Sequence, residues 1–181
     1  EHGKTYPDAL GEISRGLEVA EYACGAAAQM LGDFQPQIGG GMDTFSMREP
    51  LGPVAAIMPF NFPFMCPLWS VPLALACGCP VVLKCSEKVP QGSINLAQMI
   101  KDAGYPDGVF NMIHGQHEAV NFICDAPELK AISFVGSNVA GEHIYKRATP
   151  LGKRVQSNMG AKNHIVVMPD ADKNEAMSAL I

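Results

Sequence analysis

Apolar and polar positions along the chain fall into two textures. Over the first thirty residues Leu10, Ile13, Leu17, Ala20, Cys24, Ala27 and Leu31 recur at steps of three and four, while Glu12, Ser14, Glu18 and Glu21 take other faces. That period predicts a helix with an inward apolar stripe, stopping near Gly32. Residues 33–52 read as a link, in which Gly39-Gly40-Gly41 marks a turn and the alternation from 44 to 48 predicts one short strand. No helical pattern follows the glycine run, so it reads as a plain turn rather than a phosphate loop.

From residue 53 short apolar runs replace the helical period, at 54–58, 81–83, 109–113, 131–135 and 165–168. Between them lie stretches of helical length, clearest at 93–103 and 138–148. Buried strands alternating with helices predict an α/β fold, Rossmann-like, with a mostly parallel sheet and helices on both faces. After Pro63, Pro67 and Pro72 predict a kinked or interrupted helix. There is no internal repeat and no low-complexity tract.

Composition narrows the class. With 48% apolar and 17% charged residues, 181 residues suit a packed domain rather than a disordered chain. A net charge of -5 argues against nucleic-acid or anionic-membrane partners. The longest apolar stretch, 60–79, contains Asn61, Pro63, Pro67, Pro72 and Gly78, so it is not a membrane span. Six cysteines without framework spacing point to a reducing compartment. The first residues, Glu1-His2-Gly3-Lys4, resemble no signal or transit peptide. A start without Met and an end on Ala179-Leu180-Ile181 read as an excerpt.

In an open α/β sheet, ligands sit beyond the carboxyl ends of the strands. The first such end reads Met58-Pro59-Phe60-Asn61-Phe62-Pro63, the second Lys84 with Ser86 and Glu87, the fourth Phe134-Val135-Gly136-Ser137. Lys84 and Glu87 suit ribose hydroxyls, and Gly136-Ser137 suits amide donation to a phosphate. Polar residues also cap strands without any ligand, and that alternative stands for each one singly. Together they favour a nucleotide site, although G-x-G-x-x-G is absent. Cys77-Gly78-Cys79 with Cys85 lacks a second ligand pair for zinc, and His114-Gly115-Gln116-His117 reads as a strand-to-helix loop, so no metal is expected.

Pro59-Phe60-Asn61-Phe62-Pro63, Lys84-x-x-Glu87, Ala103-Gly104-x-Pro106-x-Gly108-Val109-x-Asn111 and Phe134-x-Gly136-Ser137, in this order, resemble the aldehyde dehydrogenase superfamily. Pro50-Leu51-Gly52, Ile113-His114-Gly115, Gly152-Lys153-Arg154-Val155-Gln156 and Gly160-Ala161-Lys162-Asn163-His164 resemble one branch of it. That branch is the CoA-acylating enzymes that oxidise methylmalonate and malonate semialdehyde. The likeness spans essentially the whole chain.

The resemblance implies an N-terminal helix and part of an oligomerisation arm over 1–52, then an NAD-binding domain over 53–181, truncated at its C-terminus. It implies NAD as cofactor, coenzyme A as co-substrate, a small semialdehyde as substrate and a homo-oligomeric full-length enzyme. Asn61 would donate its side-chain amide to the oxyanion. Lys84 and Glu87 would hold the adenosine ribose with Lys88 beside them. Met58 and Phe60 would line the cofactor cleft, Ser137 would bind pyrophosphate, and Met159 would sit near the nicotinamide. Core packing is the alternative for Met58, Phe60 and Met159. Arg15 would meet the substrate carboxylate through its guanidinium fork, or else pair with Glu12 or Glu18 at the surface.

Asn158 stands where hydrolytic members carry a glutamate base. An amide takes no proton at neutral pH, which matches release to the thiol of CoA, as propionyl- or acetyl-CoA after loss of CO2. This is a step of valine and pyrimidine catabolism. The family nucleophile is a Cys beyond Gly160-Ala161-Lys162-Asn163-His164, and none of Cys24, Cys66, Cys77, Cys79, Cys85 or Cys124 holds that place. The stretch alone is therefore expected to be inactive. The run 114–125 resembles eukaryotic members of the mitochondrial matrix, with the bacterial cytoplasm as alternative. Another semialdehyde dehydrogenase of the superfamily and a non-catalytic nucleotide-binding module are the rival readings.

Overall fold

The computed structural model describes residues 1–160 and 164–180. Helix α1 spans Tyr6–Cys24, and the short α2, Ala26–Gln29, follows Gly25. The buried face of α1 is not the expected one. Glu12, Gly16 and Ala23 turn inward, whereas Leu10, Ile13 and Leu17 are exposed. Close approach explains the reversal. At Gly16 the backbone of α1 lies against α3 (Met65–Ala76), and a Cβ there would fall 2.6 Å from Leu68 Cδ1. A stripe of leucines would hold the two helices apart, so the small-residue face makes the contact.

Strands β1 (Phe34–Gly39) and β2 (Met42–Phe45) form an antiparallel hairpin that turns at Gly40-Gly41, both at positive φ. Only one strand, over 44–48, is predicted there; Pro36 and two glutamines hide the other from a pattern search. Both strands are exposed almost throughout.

From residue 54 strands and helices alternate: β3 (Val54–Ile57), α3, β4 (Val81–Lys84), α4 (Gln91–Asp102), β5 (Phe110–Ile113), α5 (His117–Asp125), β6 (Ala131–Val135), α6 (Asn138–Ala148) and β7 (Arg154–Asn158), then α7 (Lys173–Leu180). The sheet order is β5-β4-β3-β6-β7, and every pair is parallel. This is the Rossmann-like α/β fold the alternation predicts. Four of the five apolar runs are strands. The fifth, 165–168, is irregular and exposed, and the last strand is Arg154–Asn158 instead. As an edge strand β7 needs little covered surface, so Val155 is its one large apolar residue.

Successive side chains point to opposite faces. Ala55 and Ile57 join Ile132 and Phe134, with Ile123 and Cys124 of α5 and Ile144 and Ala148 of α6, in one core. Ala56 and Met58 join Val81 and Leu83, with Cys66 and Val71 of α3, in the other. Helix α3 runs unbroken despite its prolines. Pro67 lies in its first turn, where an N–H has no partner to lose, and Pro72 forgoes one bond inside a well-buried helix. Cys77-Gly78-Cys79 is its stop: Gly78 has φ 76°, Cys79 N–H donates to Ala74 and Gly78 N–H to Leu75. Buried Lys153 closes α5, donating Nζ to the carbonyls of Ile123, at 3.0 Å, and Ala126.

Candidate active site

The register aligns Ile57, Lys84, Ile113, Phe134 and Ser157 in one row across the sheet. Met58, Cys85, His114, Val135 and Asn158 therefore leave it along a single edge. The chain steps outward from β3 to β4 and β5, then crosses back to lay β6 on the other side of β3. The order reverses between β3 and β6, and a crevice at such a reversal is where open α/β sheets bind ligands. Met58-Pro59-Phe60 lies on one side of it and Gly136-Ser137 on the other.

At the end of β4, Lys84 is 6% exposed, and its Nζ lies 3.4 Å from Oε2 of the exposed Glu87. The Glu87 carboxyl is held below its ordinary value, first by its own backbone N–H and then, against some desolvation, by Lys84 and Lys88. Lys88 Nζ stands 4.7 Å from the centroid of the half-exposed Phe60 ring, a cation–π contact. Met58 donates its N–H to the Lys84 carbonyl at 3.1 Å and buries its side chain in the α3 core.

Ser137 begins α6 as its cap, with Oγ accepting the Ala140 N–H at 3.3 Å. Gly136 is less free than its position suggests, because its N–H donates to the Asn158 carbonyl at 3.1 Å. The Ser137 N–H, by contrast, has no partner among the described residues. Met159 packs over Gly141 of α6 while 41% of it stays exposed. Asn158 is exposed at the end of β7.

Asn61 lies exposed beyond β3, and its side-chain amide has no partner among the described residues. Its backbone carbonyl accepts a bond from Lys4 Nζ at 2.8 Å. Lys4 also pairs with Glu12 at 2.6 Å, and Glu12 accepts the N–H groups of Phe64 and Met65 at 2.9 and 3.2 Å. Burial opposes ionisation of Glu12, yet Lys4 and the two amides outweigh it and keep the carboxyl below its ordinary value. Sequence reasoning missed both residues. The available signal was Glu12 one helical turn before Gly16, a charge on the small-residue face. Arg15 is exposed and makes no bond or ion pair among the described residues, so the expected alternative of a surface pair with Glu12 or Glu18 is not realised.

Cys66, Cys79, Cys85 and Cys124 are buried. Burial pushes the Cys66 thiol up to about 11 and raises those of Cys85 and Cys124. Among the described residues no cluster of three or more His, Cys, Asp or Glu could hold a metal, and no helix is long and apolar enough to cross a membrane. A cleft of about 730 Å³ opens at the starts of the strands, lined by Val54, Trp69, Leu73, Ala131 and Arg154. It lies at the wrong end of a parallel sheet for the chemistry above. Residues 161–163 of the Gly160–His164 motif lie outside the described residues.

The chain belongs to the aldehyde dehydrogenase family, whose model matches residues 1–181. It is 57% identical over all 181 residues to the mitochondrial acylating methylmalonate-semialdehyde/malonate-semialdehyde dehydrogenase of Bos taurus, covering 34% of that protein. The Arabidopsis thaliana methylmalonate-semialdehyde dehydrogenase, also named acylating and mitochondrial, is 54% identical over 181 residues, 30% of its length. Among solved structures, methylmalonate-semialdehyde dehydrogenase of Oceanimonas doudoroffii superposes with a TM-score of 0.92 at 48% identity, over 99% of this chain and 37% of that one. A Sinorhizobium meliloti structure complexed with NAD gives 0.92 at 45%, with the same coverage. The chain thus spans about a third of the length of these relatives.

Proposed function

We propose that the chain is the NAD-binding portion, with the N-terminal helix and part of the oligomerisation arm, of a CoA-acylating dehydrogenase for methylmalonate and malonate semialdehyde. The observation that carries this reading is the pairing of Lys84 with Glu87 at the end of β4, next to the strand that leads into Asn61. An ammonium donor and a carboxylate acceptor 3.4 Å apart meet both hydrogen-bonding senses of vicinal ribose hydroxyls. An ionised Glu87 would repel a 2′-phosphate, which favours NAD over NADP. Lys84 and Glu87 would hold the ribose, the start of α6 at Ser137 the pyrophosphate, and Phe60 and Met159 the flanks. NAD, once bound, supplies the hydride acceptor.

Asn61 would donate to the aldehyde oxygen as a thiolate adds and charge develops there, a contribution of about 3 kcal/mol. The guanidinium of Arg15, unpaired among the described residues, suits the substrate carboxylate. Asn158 brings no base for water, so the acyl thioester would await the CoA thiol, and loss of CO2 would leave a propionyl or acetyl thioester. The mitochondrial names of the eukaryotic relatives support the matrix as location, and the exposed β1–β2 hairpin suits an arm between copies in a homo-oligomer. The test is product analysis on the complete enzyme with methylmalonate semialdehyde, NAD and CoA. Propionyl-CoA is expected; NADH formed with free acid and no CoA thioester would overturn the acylating reading.

A further inference from the structure

The segment from Pro59 to Phe64 leaves the sheet and carries two prolines, so little ladder bonding holds it. Its fixed points are few. Met58 N–H donates to Lys84, Cys66 N–H donates to the Phe62 carbonyl at 3.1 Å, and Ser93 Oγ reaches the Pro63 carbonyl at 3.4 Å. Further bonds come from α1 and the residues before it. Lys4 Nζ bonds the carbonyl of Asn61 itself, stands 4.0 Å over the Phe62 ring centroid and pairs with Glu12 Oε2. The other oxygen of Glu12 takes the N–H groups of Phe64 and Met65, where α3 begins. Helix starts are usually capped by a nearby Ser, Thr, Asp or Asn. Helix α3 has no such cap of its own and borrows a carboxylate from α1. A buried carboxylate is unfavourable unless its partners are complete, and here an ammonium and two helix-start amides complete them.

We infer that Lys4 and Glu12 are positioning residues for the Asn61 amide. Lys4 holds the peptide carbonyl of Asn61, Glu12 fixes the exit of the loop into α3, and the ion pair couples the two. Side chain and carbonyl share one Cα, so a shift of that peptide re-aims the amide. The inference rests on the oxyanion reading of Asn61, where a displacement near 1 Å costs about a hundredfold in rate.

The test uses the complete enzyme, with Lys4→Met and Glu12→Gln made alone and in an Asn61→Ala background. Single-turnover hydride transfer at saturating NAD, the Kd for NAD and the Tm are read for each. Lys4→Met should slow hydride transfer about tenfold or more, with NAD affinity within about twofold of wild type. In the Asn61→Ala background it should add no further loss, because its effect runs through that amide. Lys4→Arg should recover much of the rate. Where Lys4→Met fails to fold, Glu12→Gln makes the same comparison, since Gln keeps an acceptor for the amides and loses the charge that holds Lys4. An equal further loss in the Asn61→Ala background would overturn the inference. So would a normal rate for Lys4→Met beside a slow Asn61→Ala enzyme, which leaves the oxyanion reading intact. A full rate for Asn61→Ala itself would instead remove the oxyanion reading, and the inference with it.

Discussion

Gly16 of α1 faces Leu68 of α3 so closely that an added Cβ would sit 2.6 Å from Leu68 Cδ1. The same contact brings Glu12, one turn earlier, to the start of α3. Stability and site geometry therefore share one interface. Gly16→Val should cost about 1–3 kcal/mol, as overpacking does. Gly16→Ala should cost less, because the flexible end of Leu68 can move. Thermal unfolding of the two variants checks this, and an unchanged Tm for Gly16→Val would mean that α1 is not seated on α3.

Glu12 also predicts how stability depends on pH. Its folded-state pKa lies below the ordinary 4.5, so its contribution is complete above that value and is lost as pH falls through the lower folded one. Acid unfolding of the wild type should therefore steepen below about pH 4.5, and Glu12→Gln should flatten that limb. Parallel acid limbs in the two proteins would show that Glu12 is not ionised against Lys4 and α3.

Lys84 is buried, so a strand-end cation is not free to be deleted without a void. Lys84→Met, which keeps most of the volume, should hold the Tm near wild type and weaken NAD binding about tenfold or more, the worth of a charge-assisted bond. Titration calorimetry with NAD decides it. Equal NAD affinity with a large drop in Tm would make Lys84 a structural residue.

Thiol reactivity should follow burial. Iodoacetamide at pH 8 should label exposed Cys24 first and leave Cys66 and Cys124 until the protein unfolds. Peptide mapping over time gives the order. Rapid labelling of Cys66 in folded protein would contradict both its burial and its raised pKa.

Asn158 ends β7 at the same edge as the loops that hold the site. A positioned base speeds attack by water about 10²–10⁴-fold, and an amide cannot act as one. In the complete enzyme Asn158→Glu should raise free acid relative to acyl-CoA at fixed CoA. An unchanged ratio in a well-folded variant would remove Asn158 from the partition.

The strands were legible because a strand covered on both faces is mostly apolar: 54–58 and 81–83 are so throughout, and 109–113 and 131–135 are interrupted only by Asn111 and Ser133. The strand-end residues Lys84, Glu87, Asn61 and Ser137 were legible for the same reason, since polarity resumes where the sheet stops. Where contact depends on the partner, the pattern misled. Leu10, Ile13 and Leu17 keep perfect helical spacing, yet the distance to α3 selects Gly16 and Ala23 instead. Strand β7 escaped because one covered face requires little more than Val155. Lys4 and Glu12 act through backbone atoms of a distant loop, and no spacing in one sequence encodes such a partner.

The reversal of strand order has a consequence for synthesis. Val54 of β3 pairs on one side with Val81 and on the other with Ala131. A ribosome delivers the first neighbour early and the second only after β4, α4, β5 and α5 have emerged. Until then β3 presents an unpaired backbone edge, with Ala55 and Ile57 uncovered on the face that α5 and α6 will close. Nascent chains halted before Ala131 are thus the vulnerable species, open to pairing with one another or to capture by a chaperone. Arrival of β6 ends that exposure and forms the crevice between β3 and β6 in the same event.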